Sequence, residues 1–274
     1  MTCNLKIDTC IIPRKSYNGG VLAIADGVSG CAEQDVDPSS FPKELMANAS
    51  NFVGDEEVNN NPHILIRKAH AYTSSIGSAT VMIAVLERNG TLKIANVGDC
   101  GLRVIREGKI NFSTSPQEHY FDCPYQLYSE IVGQTYHDAM VSNVELMEGD
   151  TVVMGSDGFF DNVLHHEIVS IVAGYRDVAE AGMYFRNQTN VRGSASALAN
   201  WANNHSLDSN FDSPYSMEAR SRGFEPPLWK KILGMKLTGT TYLGLYYDDK
   251  DLNLRCHDGP EFSVVQVESR MISL

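Results

Sequence analysis

The sequence predicts an α+β protein in which antiparallel sheets and helices are segregated. Short apolar runs of strand length recur along the chain, and tight turns such as Asn89-Gly90 join several of them. Stretches with apolar residues at helical spacing lie between these runs. The 274 residues correspond to one large domain or two small ones, and no Gly- or Pro-rich linker divides them. We therefore expect a single domain over residues 1–274.

The strands are predicted from apolar or alternating runs that end at turn residues. They cover residues 21–25, 79–87, 91–97, 102–106, 109–112, 151–155 and 263–267. The four runs between residues 79 and 112 follow one another with short breaks at Asn89-Gly90, Gly98-Asp99 and Glu107-Gly108. Consecutive strands joined by short turns are typical of an antiparallel meander, which we expect here.

The helices are predicted from apolar spacing together with their start and stop signals. They cover residues from about 38–49, 62–72, 164–174, 177–185, 195–204, 215–223 and 228–237. Pro38-Ser39-Ser40 and Asn61-Pro62 are typical helix starts, whereas Gly174 is expected to end a helix. The polar stretch 187–193 is expected to separate two helices.

The charge and cysteine content exclude several classes of function. Lys and Arg number 22 against 34 Asp and Glu, so the net charge is −12, which argues against a nucleic-acid surface or an anionic membrane surface. The six cysteines form no CxxC pair, so neither a zinc finger nor a disulfide framework is expected. No apolar run reaches 18 residues and no signal peptide is evident. We therefore expect an intracellular, cytoplasmic protein that does not insert into membranes.

Aspartates fall at the ends of several predicted strands. Asp26-Gly27 and Asp157-Gly158 each follow an apolar strand, Asp161 comes four residues later, and Asp99 follows another strand. A single Asp-Gly pair is more often a turn than a ligand. Four such aspartates at the ends of rigid strands form the oxygen-rich set that Mg²⁺ or Mn²⁺ prefers, and they would repel one another without a cation. The pattern therefore favours a divalent metal site.

The segments that carry these aspartates resemble the ordered motifs of the metal-dependent type 2C protein phosphatases. They are residues 25–30, 77–80, 96–101 and 156–162, supported by 37–41, 117–127 and 213–215. The chain is most similar to the mitochondrial and plastid T-cell activation phosphatase-like branch, over about residues 8–239, whereas 240–274 diverge. The resemblance implies a four-layer αββα fold, in which a sandwich of two antiparallel sheets is flanked by helices. It also implies a mitochondrial or plastid location as an alternative to the cytoplasm.

The resemblance further implies a serine/threonine protein phosphatase that uses two Mg²⁺ or Mn²⁺ ions, with a third bound weakly. Phosphomonoesters would be hydrolysed by a metal-activated water without a phosphoenzyme. Asp26 would bind both ions and the Gly27 carbonyl one of them, while Asp157 holds the other. Asp99 and Asp161 would serve the weak third site together with Asp157. Asp8 would orient metal-bound waters.

The chain departs from the family pattern at two places. Ile7 stands where the family has a glutamate, and the Asp-Asp-Ile-Thr motif expected after Gly239 is missing. Asp249, Asp258 and Glu261 are the candidate replacements for its metal ligand. A catalytically impaired pseudophosphatase that acts as a binding or scaffold protein is therefore the alternative. A hydrolase of small phosphoesters is a third interpretation. We expect a monomer with a phosphorylated protein as its substrate.

Overall fold

Two antiparallel sheets pack face to face between two layers of helices, which confirms the predicted αββα architecture. The computed structural model describes residues 20–28, 37–129, 133–147, 149–181, 188–208 and 210–224. It also describes the backbone of two short strands at 243–244 and 264–266. The predicted helix over 228–237 lies outside the described residues.

The elements of the described residues follow one another along the chain. The strands are β1 (Val21–Gly27), β2 (Ser78–Leu86), β3 (Thr91–Val97), β4 (Gly101–Arg106), β5 (Lys109–Ser113), β6 (Glu118–Tyr120), β7 (Cys123–Pro124), β8 (Leu127–Tyr128), β9 (Met140–Glu145), β10 (Thr151–Gly155), β11 (Leu243–Gly244) and β12 (Val264–Gln266). The helices are α1 (Ser40–Phe52), α2 (Pro62–Ala71), α3 (Asp157–Phe160), α4 (His165–Ala181), α5 (Gln188–Leu207) and α6 (Pro214–Ser221), with a 3-10 turn at Tyr136–Asp138.

The strands divide between two sheets and one small hairpin. The first sheet has the order β1-β2-β3-β9, and β8 also pairs with β2. The second sheet has the order β11-β10-β4-β5, and β12 also pairs with β10. Strands β6 and β7 form a separate two-stranded hairpin.

The predicted meander is wrong, because the chain changes sheets between β3 and β4. Strand β3 pairs with β2 and β9, whereas β4 pairs with β5 and β10. The crossing occurs at Gly98, whose φ of 105° lies in the left-handed region. The Gly98 carbonyl accepts hydrogen bonds from Asn96 Nδ2 and from the Gln117 backbone N–H, both at 2.9 Å. The break read as a hairpin turn is therefore a crossover between sheets.

Helices α4 and α5 are longer than the sequence signals predict. Helix α2 begins as expected, because the Asn61 side chain accepts hydrogen bonds from two amides of the first turn. Helix α4, however, continues through Gly174 to Ala181, and α5 already begins at Gln188 within the polar stretch. A glycine inside a helix costs only about 1 kcal/mol, which packing of Ile168 and Val172 against the second sheet can offset. No helix in the described ranges is both long and apolar enough to cross a membrane.

Three apolar layers hold the four structural layers together. The first lies between α1, α2 and the outer face of the first sheet, and the third lies between the second sheet and helices α4 and α5. The middle layer lies between the two sheets and contains Leu22, Ile24, Ile94 and Met154. Because side chains alternate across a strand, Leu22 and Ile24 face this middle layer while their neighbours face the helices.

The middle layer becomes polar at one end of the sandwich. By the same alternation, the next residue that faces this layer is polar in three places. Asp26 follows Ile24, Asn96 follows Ile94, and Ser156 follows Met154. All three polar residues are buried. Polar groups that are buried together at one end of an apolar layer need partners, so this end is where a functional site is expected.

We predict that Gly98→Ala destabilises the fold far more than Gly108→Ala. Both glycines have a positive φ, so each alanine costs about 1–2 kcal/mol of backbone strain. A Cβ at Gly98 would also lie 2.5 Å from the Tyr125 carbonyl oxygen and 2.7 Å from Thr80, whereas one at Gly108 would meet nothing within 4 Å. The total at Gly98 should therefore exceed about 3 kcal/mol. Urea unfolding of both variants measures the difference, and equal losses would contradict the crossing geometry.

Candidate active site

Asp26 reaches the polar end of the sandwich from the first sheet. It occupies β1 opposite Thr80 and is only 8% exposed. Gly27 follows it, and a Cβ there would lie 2.2 Å from the Pro38 carbonyl oxygen. The loop before α1 therefore needs glycine at this position for close packing.

Asp157 and Asp161 reach the same end from the second sheet. Strand β10 ends at Gly155, and the single helical turn α3 follows directly. The Asp161 backbone N–H donates to the Asp157 carbonyl oxygen at 2.7 Å, so one turn of helix presents both carboxylates. The Asp157 carboxylate in turn accepts a 2.7 Å hydrogen bond from the Gly158 backbone N–H.

Asp99 lies at the crossing between the sheets. It comes one residue after Gly98, so the crossover places its carboxylate beside those of the other two strands. Its neighbour Cys100 is buried, and the Cys100 Sγ lies 3.2 Å from Thr80 Oγ1. The structure thus brings together the four aspartates that the sequence singled out, namely Asp26, Asp99, Asp157 and Asp161.

The electrostatics of this cluster favour a bound cation. Burial raises the pKa of Asp26 well above its usual value, and the nearby charge of Asp157 raises it further. Burial and then Asp157 do the same to the pKa of Asp99 and of Asp161. The Asp26 and Asp157 side chains lie within hydrogen-bonding reach of each other, so the two carboxylates can share a proton in the absence of metal. A divalent cation can replace that proton and balance the charge.

A fifth carboxylate was missed by the sequence reasoning. Asp122 lies at the tip of the β6–β7 hairpin with a φ of 64°, and its negative charge raises the pKa of Asp99, Asp157 and Asp161. The Tyr215 hydroxyl donates a hydrogen bond to Asp122. The sequence signal for Asp122 is its place in the segment 117–127, which supports the family resemblance.

The hairpin that carries Asp122 is tethered to both neighbouring parts of the site. The Gln117 backbone N–H donates to the Gly98 carbonyl, beside Asp99, and the Gly98 N–H donates to Gln117 Oε1 at 3.3 Å. On the other side, the Phe121 and Tyr215 rings are 5.2 Å apart, and the Tyr215 N–H donates to the Asp161 carbonyl at 3.2 Å. The position of Asp122 therefore follows from contacts with the β3–β4 crossover and with α6.

The donor set fits hydrated Mg²⁺ or Mn²⁺ rather than a fully protein-enclosed ion. Within the described ranges, no group of three or more His, Cys, Asp or Glu side chains is arranged so that it could hold a metal ion without other ligands such as water. Mg²⁺ usually keeps several waters and binds through one or two carboxylates, so it does not require a larger closed group of ligands. The cluster supplies oxygen donors only, as hard cations require. The residues present therefore fit the metal that the resemblance implies.

Four of the predicted site residues lie outside the described residues. They are Asp8, Asp249, Asp258 and Glu261. The backbone of β11 nevertheless pairs with β10 at Met154 and Gly155, directly before the Asp157 turn. Residues 243–244 therefore join the second sheet beside the site.

Curated relatives identify the family. The chain is 61% identical over 224 residues to probable protein phosphatase 2C 26 of Arabidopsis thaliana, covering 82% of the chain and 71% of that protein. It is also 61% identical over 222 residues to probable protein phosphatase 2C 1 of Oryza sativa subsp. japonica, covering 81% of the chain but only 63% of that protein. No protein-family model matches the chain. The chain belongs to the protein phosphatase 2C family of metal-dependent serine/threonine phosphatases, as its motifs indicated.

Solved structures agree with this assignment. The X-ray structure of the photosystem II phosphatase PBCP is 56% identical, with a TM-score of 0.71, and the match covers 84% of the chain and 87% of that protein. The catalytic domain of the phosphatase PstP in complex with two manganese ions matches with a TM-score of 0.50 over 73% of the chain and 90% of its own. At 16% identity, PstP shows only that the fold is shared.

We predict that Asp157→Asn stabilises the metal-free protein, and more so at higher pH. The pKa of Asp157 is raised in the folded state. The contribution of its carboxyl group to the stability of the fold is therefore present at low pH and is lost as the pH rises through that raised pKa. Asparagine keeps an oxygen for the Gly158 N–H but carries no charge. In EDTA at pH 8, the free energy of unfolding of Asp157→Asn, measured with urea, should exceed that of the wild type by at least about 1 kcal/mol. Near pH 4 the two values should match.

Asp208→Asn is the matched control, because Asp208 is exposed and lies outside the cluster. Asp208→Asn should not reproduce the stabilisation that Asp157→Asn gives at pH 8. A loss of stability in Asp157→Asn at pH 8 would show that the carboxylates do not repel one another in the folded protein.

Proposed function

We propose that this chain is a Mg²⁺- or Mn²⁺-dependent serine/threonine protein phosphatase that hydrolyses phosphomonoesters. The observation that carries the proposal is the convergence of Asp26, Asp99, Asp157 and Asp161 at the polar end of the sandwich. Such a buried carboxylate cluster is costly unless cations occupy it. Membership of the protein phosphatase 2C family supports the same reaction.

In this proposal the two sheets each supply a principal ligand. Asp26 would bind two cations, with the Gly27 carbonyl on one of them, and Asp157 would bind the other. Asp99 and Asp161 would hold a third, weaker cation with Asp157, and Asp8 would orient the waters. Bound cations would lower the pKa of a water for attack on phosphorus and balance charge on the phosphoryl oxygens.

The chain's own groups prepare this site. The Ser156 side chain is hydrogen-bonded to Asp26, and the Gly158 N–H to Asp157, so both carboxylates are held in fixed orientations. These hydrogen bonds lower the pKa of their carboxylates and so favour the charged, metal-binding form. A proton shared between Asp26 and Asp157 would have to leave when cations bind, and metal binding should therefore release protons.

The substrate in this proposal is a phosphorylated protein. Because PBCP is described as a photosystem II phosphatase, phosphopeptides from photosystem II proteins are the first substrates to test, and a plastid location would follow. The net charge of −12 gives no support to nucleic acid as a partner. A monomer is the simplest assembly, and sedimentation would test it.

We predict that Asp26→Ala and Asp157→Ala each reduce Mn²⁺-dependent hydrolysis of a phosphothreonine peptide by at least about a thousandfold. The physical reason is that each variant removes a carboxylate that would hold the cations. Asp208→Ala serves as the control, because it removes an exposed aspartate that is not part of the cluster. Normal turnover by both site variants would reject the proposal.

Calorimetric titration of the wild type with Mn²⁺ separates this function from its alternatives. Two-metal binding with turnover rules out the scaffold-type pseudophosphatase that Ile7 and the missing Asp-Asp-Ile-Thr motif suggest. Metal binding without turnover on any phosphopeptide supports it. Preference for small phosphoesters over phosphopeptides in a substrate panel indicates the third interpretation.

We predict that Asp122→Asn raises the Mn²⁺ concentration needed for half-maximal activity about threefold to tenfold while kcat changes little. Asp122 adds negative charge near three of the site aspartates, so its neutralisation should weaken their attraction for cations. Metal titration of phosphopeptide hydrolysis measures the effect, with Asp208→Asn as the charge-matched control. An unchanged Mn²⁺ requirement would place Asp122 outside the metal-binding field.

A further inference from the structure

Arg103 is a half-buried cation that no carboxylate neutralises among the described residues. It lies on β4, two residues after Gly101, and its Nη1 donates to the carbonyls of Leu102 at 3.0 Å and Thr114 at 3.3 Å. Its Nε is buried and has no hydrogen-bond partner in the described part of the chain. Burial alone lowers the pKa of Arg103 to about 10. An arginine that bears this cost needs a compensating role.

The guanidinium lies over the ring of Phe160. The Cζ of Arg103 is 4.4 Å from the centroid of that ring, which is a close cation–π contact. The Phe160 ring also fills the space beside Gly101, because a Cβ there would lie 2.5 Å from Phe160 Cε2. Phe160 is therefore held between the Gly101 backbone and the Arg103 guanidinium, both from β4.

Phe160 is the last residue of α3, the turn that presents the site carboxylates. Asp157 begins this turn and Asp161 follows it. A helix of four residues has almost no stability of its own, so tertiary contacts must fix its orientation. The contact with β4 supplies one such restraint at the end of the turn, next to Asp161.

We propose that Arg103 is a positioning residue that, through Phe160, fixes the orientation of Asp157 and Asp161 for metal binding. The proposal rests on the proposed phosphatase function. Arginine suits this role because its planar guanidinium can stack on a ring while it donates to two backbone carbonyls, which a lysine ammonium cannot reproduce. Leu102 N–H donates to Thr114 Oγ1 at 2.9 Å, so the carbonyls that hold the guanidinium are themselves fixed.

The test compares Arg103→Lys with Arg106→Lys. Both arginines lie on β4, and Arg106 pairs with the buried Asp150 at the end of the strand away from the site. Each substitution keeps the charge and removes a planar guanidinium, so general destabilisation of β4 is common to both. Direct Mn²⁺ binding by calorimetry, without any substrate, is the first measurement. Hydrogen exchange of the amides of residues 160–163 in metal-free protein is the second.

We expect Arg103→Lys to weaken Mn²⁺ binding about tenfold, the lower end of the effect of residues that orient metal ligands. Exchange of the 160–163 amides should accelerate roughly tenfold, as loss of a buried cation–π contact allows. Arg106→Lys should lower the urea midpoint but leave both measurements within about twofold of the wild type. Phe160→Leu should reproduce the Arg103→Lys effects, and the double variant should be no worse than Phe160→Leu alone.

Unchanged Mn²⁺ affinity and exchange in Arg103→Lys would overturn the proposal. Equal effects in Arg106→Lys, or additive effects in the double variant, would also overturn it by showing a general loss of stability. If the wild type binds no Mn²⁺, the phosphatase function fails, and the exchange measurement in metal-free protein still decides whether Arg103 orders the turn.

Discussion

The burial of like charges at the end of an apolar layer is the constraint on which the rest of this structure depends. Asp26 lies on the same face of β1 as Leu22 and Ile24, which belong to the apolar layer between the sheets. Every other feature of the site serves to bring further carboxylates to that point. In the proposed function, a bound cation would be the partner that makes this costly arrangement stable.

The local pattern predicted most of the secondary structure but not the sheet in which each strand lies. Strands β1 to β5 and β10 lie close to their predicted ranges, because runs of apolar residues bounded by turn residues report local conformation well. Their pairing depends on contacts distant in sequence. Gly98-Asp99 has the composition of a hairpin turn, and only the contacts of Gly98 with Gln117 and Tyr125 make it a crossover.

The same division between local and distant information applies to the site. Asp26 and Asp157 could be found because each stands beside a glycine at a strand end, in a motif that short-range pattern reveals. Asp122 stands only within the segment 117–127 that supports the family resemblance, and no local pattern marks Arg103. Asp122 matters because Gln117 and Tyr215 hold its hairpin over the cluster, and Arg103 because Phe160, 57 positions along the sequence, lies against it. Tyr215 and Phe160 are distant in sequence from the residues they contact, so no local pattern reveals these two contacts.

The crossing at Gly98 has a consequence for the way the protein comes apart. Asp26 belongs to one sheet and Asp157 extends from the other, while residues 98–100 join the sheets covalently at that same end. An ion bound by both carboxylates would therefore link the two sheets a second time, beside the covalent connection through residues 98–100. With the ion bound, the two sheets would open as one cooperative unit, and without it they would be free to separate from the site end inward.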